Sequence, residues 1–266
     1  MNDTALSDGL CRIALAAGAE IMRLYAGNIS VDRKDDDSPV TVADREAEKI
    51  ILAGLAGLAP DMPVISEEAA AAGHIPVVGE KFFLVDPLDG TKEFIGKNGE
   101  FTVNIALIEK GDPTYGVVYA PAKKRLFFAA GPDAAFEQKI GASEEEQAKA
   151  GAPKPIHVRP VPEGGMTAVA SRSHRDTKTE EYLNHYDVRD FITAGSSLKF
   201  CLLAAGEADI YPRHGRTMEW DTAAGHAVLA AAGGSVTELD GRPLKYGKAD
   251  RGLDNPYFIA KGWKDK

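Results

Sequence analysis

The stretch Asp86-Pro87-Leu88-Asp89-Gly90-Thr91 follows a continuous apolar run over residues 82–85. Such a run is typical of a strand that is buried on both faces. We expect this strand to stop at Asp86, so that the carboxylate is held at the edge of a sheet. Pro87 fixes its own backbone and favours an extended conformation at Asp86. Asp89 follows within a turn, from which its side chain can approach the same point.

Carboxylates that meet in this way repel each other, and one of them would normally take up a proton. A hard divalent cation removes that cost, and aspartate oxygens with a carbonyl between them suit Mg²⁺. Gly90 allows a ligand to approach the backbone, and Thr91 can open a short helix whose free N–H groups favour phosphate. The alternative for these six residues alone is an ordinary Asp-Gly turn.

Three further acids stand at the predicted boundaries of helices and strands. Glu67 follows the short strand predicted at 64–65, and if that strand neighbours the one before Asp86, both carboxylates lie at the same sheet edge. Asp221 opens a predicted helix, and Asp44 fits the capping-box pattern. Each acid alone has a plainer interpretation, as a helix cap or a first-turn acid. Together with Asp89 they predict a metal centre made of oxygen ligands.

Composition narrows the chemistry further. The chain has 266 residues, of which 44% are hydrophobic and 27% charged, and its formal net charge is -9. This acidity argues against binding long nucleic acid, but it allows a small anionic substrate where bound cations reverse the local charge. The six histidines show no zinc-binding spacing, and Cys11 and Cys201 fit two buried thiols. P-loop, dinucleotide-binding and nucleophile-elbow motifs are absent.

Helical and strand-like patterns alternate along the chain, which predicts an α/β or α+β fold. We predict helices over 5–25, 43–58, 176–185, 198–205 and 221–232. We predict strands over 64–65, 82–85, 101–108, 114–119, 126–129, 167–170, 191–194 and 208–211, with a hairpin turn at 111–113. An acidic linker is predicted at 35–37.

The segment 141–165 is rich in Gly, Pro, Glu and Lys, and we interpret it as a surface connection. It divides the chain into an N-terminal part, 1–155, with the Asp86 motif, and a C-terminal part, 156–266, with Asp221. The first ten residues lack the layout of a secretory signal, and no apolar run approaches the length that spans a bilayer. We therefore expect a cytoplasmic protein.

Two motifs together resemble a known family. Residues 86–91 match the signature DPxDGT, and Trp220-Asp221-Thr222-Ala223-Ala224-Gly225 matches WDxAAG. With Glu67 before them, they make the chain similar to the lithium-sensitive, magnesium-dependent inositol monophosphatase superfamily. The resemblance is closest to the bacterial 3'(2'),5'-bisphosphate nucleotidases of the CysQ type, on the stretches 34–41, 91–94, 195–200 and 211–213. Inositol monophosphatases usually have Thr-Asn-Phe where this chain has Lys92-Glu93-Phe94.

The resemblance implies a layered αβαβα sandwich and hydrolysis of adenosine 3',5'-bisphosphate to AMP and phosphate. 3'-Phosphoadenosine 5'-phosphosulfate is a second candidate substrate. The alternatives are an inositol or sugar phosphate monophosphatase and an inactive sensor of nucleotide or metal. The expected partner is a small phosphorylated nucleotide, and the chain is expected to be a monomer or homodimer. Peripheral contact with the inner membrane stays open.

The resemblance also implies a set of site residues. Glu67, Asp86 and the Leu88 carbonyl would hold one Mg²⁺, while Asp86, Asp89 and Asp221 would hold a second, and a third ion stays open. The implied catalytic residues are Asp44, Glu67 and Thr91, with Thr91 and Asp44 orienting a water for in-line attack without a covalent intermediate. The implied substrate contacts are Glu67, Leu88, Asp89, Gly90, Thr91, Ser171 with the residues up to His174, Gly195, Ser196, Lys199, Arg213 and Asp221.

Overall fold

Two large β-sheets with helices against their faces make up the architecture. The structure is a computed structural model, and it describes residues 3–27, 31–33, 39–141, 151–171 and 177–263. Among these residues, no helix combines the length and the apolar character that crossing a bilayer requires.

The helices are α1 (Asp3–Tyr25), α2 (Val42–Leu58), α3 (Glu67–Ala71), α4 (Thr91–Ile95), α5 (Thr177–Leu183), α6 (Leu198–Ala204) and α7 (Glu219–Ala231). The strands are β1 (Val31–Arg33), β2 (Pro39–Thr41), β3 (Val64–Ser66), β4 (Lys81–Asp89), β5 (Thr102–Glu109), β6 (Asp112–Ala120), β7 (Arg125–Ala129), β8 (Ala135–Lys139), β9 (Lys154–Pro155), β10 (Met166–Ser171), β11 (Val188–Ala194), β12 (Ile210–Arg213), β13 (Ser235–Glu238) and β14 (Phe258–Lys261). Short 3₁₀ turns cover Pro121–Lys123 and Ala249–Arg251.

The first sheet has the strand order β3-β4-β5-β6-β7-β8-β9, and the second has the order β11-β10-β12-β14-β13. In the first sheet β3 runs parallel to β4, with Ser66 opposite Val85, and the remaining pairs are antiparallel. In the second sheet β10 runs parallel to both β11 and β12. The strands predicted at 64–65 and 82–85 are therefore neighbours, which is the condition for Glu67 and Asp86 to lie at the same sheet edge.

The helices and sheets form five layers. Helices α1 and α2 pack on one face of the first sheet, where Ile51 and Phe83 share a core. Helix α7 is apolar on nearly all sides and lies between the two sheets, as expected for an interior helix. Its axis approaches β6 closely, because a Cβ at Gly116 would stand 2.6 Å from the Ala224 carbonyl oxygen. Helix α5 covers the outer face of the second sheet through Leu183. The predicted αβαβα layering is confirmed.

The predicted end of the strand at Asp86 is wrong. Strand β4 continues to Asp89, with a register shift between a pair at Asp86 and Asn104 and a pair at Asp89 and Thr102. Pro87 has no N–H group to donate to the ladder, so the strand bulges there and resumes two residues later. Asp86 keeps the regular register, and beyond the bulge Asp89 lies near enough for its charge to act on Asp86.

Other boundaries differ by one to three residues. The hairpin turn lies at Lys110 and Gly111, which both have positive φ, and β6 already begins at Asp112. Helix α7 begins at Glu219, two residues before the predicted start at Asp221, so Asp221 lies in the first turn. The strand predicted at 208–211 covers 210–213, and α5 is shorter than predicted. The acidic linker at 35–37 lies outside the described residues.

Of the connection predicted at 141–165, the structure describes residue 141 and residues 151–165. It includes β9, which pairs with β8 at the edge of the first sheet. Strands of the first sheet end at Pro155, and those of the second begin at Met166. The division into 1–155 and 156–266 stays a prediction that is consistent with this change of sheet.

Candidate active site

Three carboxylates from three elements meet at one edge of the first sheet. Because β3 and β4 are parallel neighbours, Glu67 at the start of α3 lies beside Asp86 of β4. The first turn of α7 brings Asp221 to the same place from between the sheets. One carboxylate oxygen of each of the three lies within 4.8 Å of the others, a spacing that suits a shared metal ion.

Asp86 is the most buried member of this group, with 1% of its surface exposed. Its Oδ1 accepts a hydrogen bond from the Leu88 amide at 3.0 Å, whereas Oδ2 is buried without a hydrogen-bond partner among the described residues. Burial raises the pKa of Asp86 well above its usual value, and the negative charges of Glu67, Asp89 and Asp221 add to the rise. A buried oxygen without a partner and a disfavoured charge are both relieved by a divalent cation, so the donors fit magnesium.

Asp89 is held by one hydrogen-bond donor from the first sheet and one from the loop that follows β11. Its Oδ2 accepts hydrogen bonds from the Ser197 amide at 2.6 Å and from Asn104 Nδ2 at 3.3 Å. Burial raises the pKa of Asp89 to about 6, while the positive charge of Lys199 and these hydrogen bonds oppose the rise. Asp89 lies outside the group of three within 4.8 Å, and its Oδ1 is the oxygen left for a further ligand.

Asp221 is fixed by the helix that carries it. Its Oδ2 accepts a hydrogen bond from the Met218 amide at 2.8 Å, which closes the first turn of α7. Burial, followed by the charges of Asp89 and Glu67, raises the pKa of Asp221 well above its usual value. The acid that caps α7 thus also faces the other carboxylates, so the predicted capping role and the predicted metal role are compatible.

Asp44 and Thr91 form a separate hydrogen-bonded pair. Asp44 Oδ2 accepts from the Thr41 amide at 2.7 Å and from Thr41 Oγ1 at 2.6 Å, which completes the capping box of α2. Its Oδ1 accepts from Thr91 Oγ1 at 2.9 Å. Burial raises the pKa of Asp44, so the carboxylate is a better proton acceptor than an exposed one.

The backbone at Gly90 explains the glycine of the motif. Gly90 has φ of 95°, a conformation that residues with a side chain rarely adopt, and a Cβ there would stand 3.1 Å from the Glu100 carbonyl oxygen. The helix predicted to open at Thr91 is present as α4. The first amides of α4 therefore begin directly beside the aspartates.

A cavity of about 120 Å³ lies next to these acids and takes its walls from both parts of the chain. Its lining includes Asp89, Gly90, Ser196, Lys199, Arg213 and Asp221. The ammonium of Lys199 is buried, and desolvation lowers its pKa to about 8. Two cationic side chains, Lys199 and Arg213, thus line the same cavity as Asp89 and Asp221.

The remaining predicted contacts occupy different positions. Gly195 packs its backbone against the segment before β5, because a Cβ there would stand 2.6 Å from the Glu100 carbonyl oxygen. Ser196 has φ of 48° and lines the cavity. Ser171 ends β10 opposite Ala194, and its side chain lies outside the described residues, as do residues 172–174.

Asn104 and Ser197 are site residues that the sequence did not single out. Asn104 Nδ2 donates to Asp89 Oδ2 and to Ser197 Oγ at 3.2 Å, and Ser197 Oγ donates to the Asp221 carbonyl. The two side chains therefore connect Asp89 to Asp221 across the sheets. The available signal was the single polar residue, Asn104, within the apolar stretch 103–108.

Comparison of the chain with models of known protein families identifies the class of protein to which this fold and acidic site belong. The model of the inositol monophosphatase family matches residues 3–263. The chain belongs to this family. The two motifs on which the resemblance rests, at 86–91 and at 220–225, lie within the matched residues.

Individual members of this family are similar to the chain over nearly its whole length. The 3'(2'),5'-bisphosphate nucleotidase CysQ of Salmonella typhimurium is 46% identical over 251 residues, covering 94% of this chain and 96% of the relative. The crystal structure of CysQ from Bacteroides thetaiotaomicron superposes with a TM-score of 0.79 at 39% identity, covering 97% of both chains. The inositol monophosphatase from Anabaena superposes with a TM-score of 0.74 at 27% identity, covering 99% of this chain and 92% of the other.

Proposed function

We propose that this chain is a magnesium-dependent 3'(2'),5'-bisphosphate nucleotidase that removes the 3'-phosphate of adenosine 3',5'-bisphosphate to give AMP and phosphate. The observation that carries the proposal is the acidic group of Glu67, Asp86 and Asp221, which lies beside a cavity lined by two cationic side chains. The identity to the CysQ nucleotidase over nearly the whole chain supports the same substrate class.

The proposed ligands of one Mg²⁺ are Glu67, Asp86 and the Leu88 carbonyl, and those of a second are Asp86, Asp89 and Asp221. The buried, unpartnered Oδ2 of Asp86 and the raised pKa values of three of these acids support this assignment. Magnesium bound there would neutralise phosphate charge, make water more acidic and stabilise the departing oxygen. We propose two ions per site, with a third as an alternative.

The proposed proton path uses Thr91 and Asp44. Thr91 Oγ1 gives its hydrogen bond to Asp44 Oδ1, so the lone pairs of this hydroxyl remain to accept a hydrogen bond from a water. When that water attacks phosphorus, its proton passes to Thr91 Oγ1, whose own proton passes to Asp44 Oδ1. Thr41 holds the other carboxylate oxygen through two hydrogen bonds, which keeps Oδ1 directed at Thr91.

The cavity supports a substrate with two phosphates. Gly90 and the amides from Thr91 onward are the proposed contacts of the phosphate that is removed. Lys199 and Arg213 also line this cavity, where they would pair with the 5'-phosphate. Ser171, Gly195 and Ser196 are the remaining proposed contacts of the nucleotide, and 3'-phosphoadenosine 5'-phosphosulfate is a second proposed substrate.

Phosphate release from a panel of substrates tests the proposal. We expect adenosine 3',5'-bisphosphate to give a kcat/KM at least tenfold above that of inositol 1-phosphate or fructose 1,6-bisphosphate, with EDTA abolishing turnover. A preference for inositol 1-phosphate would instead support the second candidate, an inositol or sugar phosphate monophosphatase, which the likeness to the Anabaena enzyme favours. Nucleotide binding without any turnover in saturating Mg²⁺ would support the inactive sensor.

A pair of arginine variants tests the site of the 5'-phosphate. We expect Arg213→Gln to lower kcat/KM for adenosine 3',5'-bisphosphate about tenfold or more, and to leave the weaker turnover of 3'-AMP nearly unchanged. Arg216→Gln is the matched control, because Arg216 is exposed and pairs with Asp254. Equal loss for the two substrates would contradict the assignment of Arg213.

The cytoplasmic location, the monomeric or dimeric state, peripheral contact with the inner membrane and inhibition by lithium stay predictions. The last is measured in the same phosphate-release assay. We expect lithium to inhibit by competing with the second magnesium ion.

A further inference from the structure

Helix α3 lacks the cap that its own sequence offers. Ser66 occupies the N-cap position, where a serine usually accepts a hydrogen bond from the second or third amide of the helix. Its side chain makes no such bond, and Ser66 Oγ is buried without a hydrogen-bond partner in the described part of the chain. The first turn of α3, which carries Glu67, is therefore stabilised by another group.

That group is Glu48 of the neighbouring helix α2. Glu48 Oε1 accepts hydrogen bonds from the Glu68 amide and from the Ala69 amide, both at 3.2 Å. These are the second and third amides of α3, the ones that an N-cap side chain ordinarily binds. A carboxylate is also favoured at this end of a helix, because the free amides carry partial positive charge.

The length of α3 makes this contact important for Glu67. Five residues are too few for a helix that is stable without support from its surroundings. The strand β3 fixes the chain only up to Ser66, through its pairing with β4. Beyond that point, the two hydrogen bonds to Glu48 join the first turn of α3 to α2.

Helix α2 also carries Asp44, which lies four residues before Glu48 and therefore on the same face of the helix. Asp44 binds Thr91 Oγ1, and Glu48 binds the first turn of α3. We propose that Glu48 is a positioning residue that holds Glu67 in place for magnesium, so that one rigid helix aligns both the proton acceptor and a metal ligand. The inference rests on the proposed function for the role of Glu67.

Calorimetric titration of the metal-free protein with Mg²⁺ and with Mn²⁺ tests this role without substrate. We expect Glu48→Ala to weaken metal binding roughly tenfold, as is usual when a residue that orients a ligand is lost. Glu48→Asp keeps the charge but shortens the side chain, and should resemble Glu48→Ala. Glu48→Gln keeps an acceptor oxygen, and should stay within about threefold of the wild type.

Glu46→Ala is the matched control, since it removes a carboxylate from the same helix, and Glu46 forms its ion pair with the exposed Lys49. We expect wild-type metal affinity for this variant. In turnover assays Glu48→Ala should need about tenfold more Mg²⁺ for half-maximal rate, while kcat at saturating Mg²⁺ returns to within about twofold of the wild type. Circular dichroism in EDTA verifies that each variant is folded.

Three results would overturn the role of Glu48. The first is unchanged metal affinity in folded Glu48→Ala. The second is equal loss in Glu48→Ala and Glu46→Ala, or in Glu48→Gln and Glu48→Ala, which would indicate a general effect of charge. The third is a wild-type protein that binds neither ion. A wild type that binds metal but leaves adenosine 3',5'-bisphosphate intact contradicts only the proposed function, because the calorimetric comparison stands.

Discussion

Replacing Asp89 by asparagine should stabilise the metal-free protein while abolishing its activity. Asparagine has nearly the same shape, and its carbonyl oxygen can still accept from the Ser197 amide and from Asn104 Nδ2. What disappears is one negative charge beside Asp86 and Asp221. Those charges are useful only when a cation is bound, so their removal relieves repulsion in the empty site.

The size of the effect follows from the pKa of Asp89. Burial raises this pKa from its ordinary 3.8 to about 6 in the folded protein. Each unit of pKa difference between the folded and unfolded states corresponds to about 1.4 kcal/mol. Ionised Asp89 thus lowers the free energy of unfolding by up to about 3 kcal/mol at pH 7.5, and Asp89→Asn should recover much of it.

The sign fixes the pH window. Because the folded-state pKa is the higher one, the folded protein binds the Asp89 proton more tightly than the unfolded chain does. The stability that this proton gives is fully present below pH 3.8 and is lost as the pH rises through 6. The advantage of Asp89→Asn should therefore be largest at pH 7.5 and about half as large at pH 5.

Urea unfolding in EDTA at both pH values measures this difference. Asp187→Asn is the control, because Asp187 is exposed and pairs with Arg189, so we expect a change of less than about 0.5 kcal/mol. Adding Mg²⁺ should then stabilise the wild type more than Asp89→Asn, since a ligand stabilises the state that binds it. The reasoning fails if Asp89→Asn is less stable than the wild type in EDTA at pH 7.5, or if the difference is independent of pH.

Three further predictions concern single side chains. Thr91→Val should lower kcat at least about 100-fold and Thr91→Ser much less, because only the hydroxyl passes the proton to Asp44; phosphate-release kinetics compare them. Gly90→Ala should lower the free energy of unfolding by about 1 kcal/mol or more in urea, because φ is 95° and the added Cβ meets a carbonyl oxygen. Glu219→Gln should lower it by about 3 kcal/mol, since the buried Glu219 binds the Lys248 amide and ammonium; an unchanged urea midpoint would contradict either assignment.

The elements that the sequence predicted well are those whose pattern is local. The apolar run before Asp86 predicted β4, and the capping box at Asp44 predicted the start of α2 within one residue. The bulge at Pro87 was missed, because a missing N–H group shows where a ladder is interrupted but not that the strand resumes beyond it. The strands β8, β13 and β14 were missed as well, since their short polar-containing sequences become strands only through their neighbours.

The candidate site divides in the same way. The sequence pattern placed Glu67, Asp86 and Asp221 at the boundaries of predicted elements, so it brought these three acids to attention although the boundaries of β4 and α7 differ. Contacts between residues far apart in the chain were not, and the bonds from Ser197 to Asp89 and from Glu48 to α3 are of this kind. They depend on which helices and sheets pack together, which no local pattern specifies.

Ser197 joins the two parts of the chain at the site, because its amide donates to Asp89 and its hydroxyl donates to the Asp221 carbonyl. Asp86 and Asp89 come from the first sheet, whereas Asp221 and the Ser197 amide come from the part of the chain that builds the second. Their like charges oppose this assembly in the metal-free protein, and the hydrogen bonds of Ser197 offset only part of the repulsion. Magnesium bound by acids from both parts would therefore stabilise the packing of the two sheets as well as the site. We expect metal binding to raise the stability of the whole chain, because neither part alone contains the complete set of ligands.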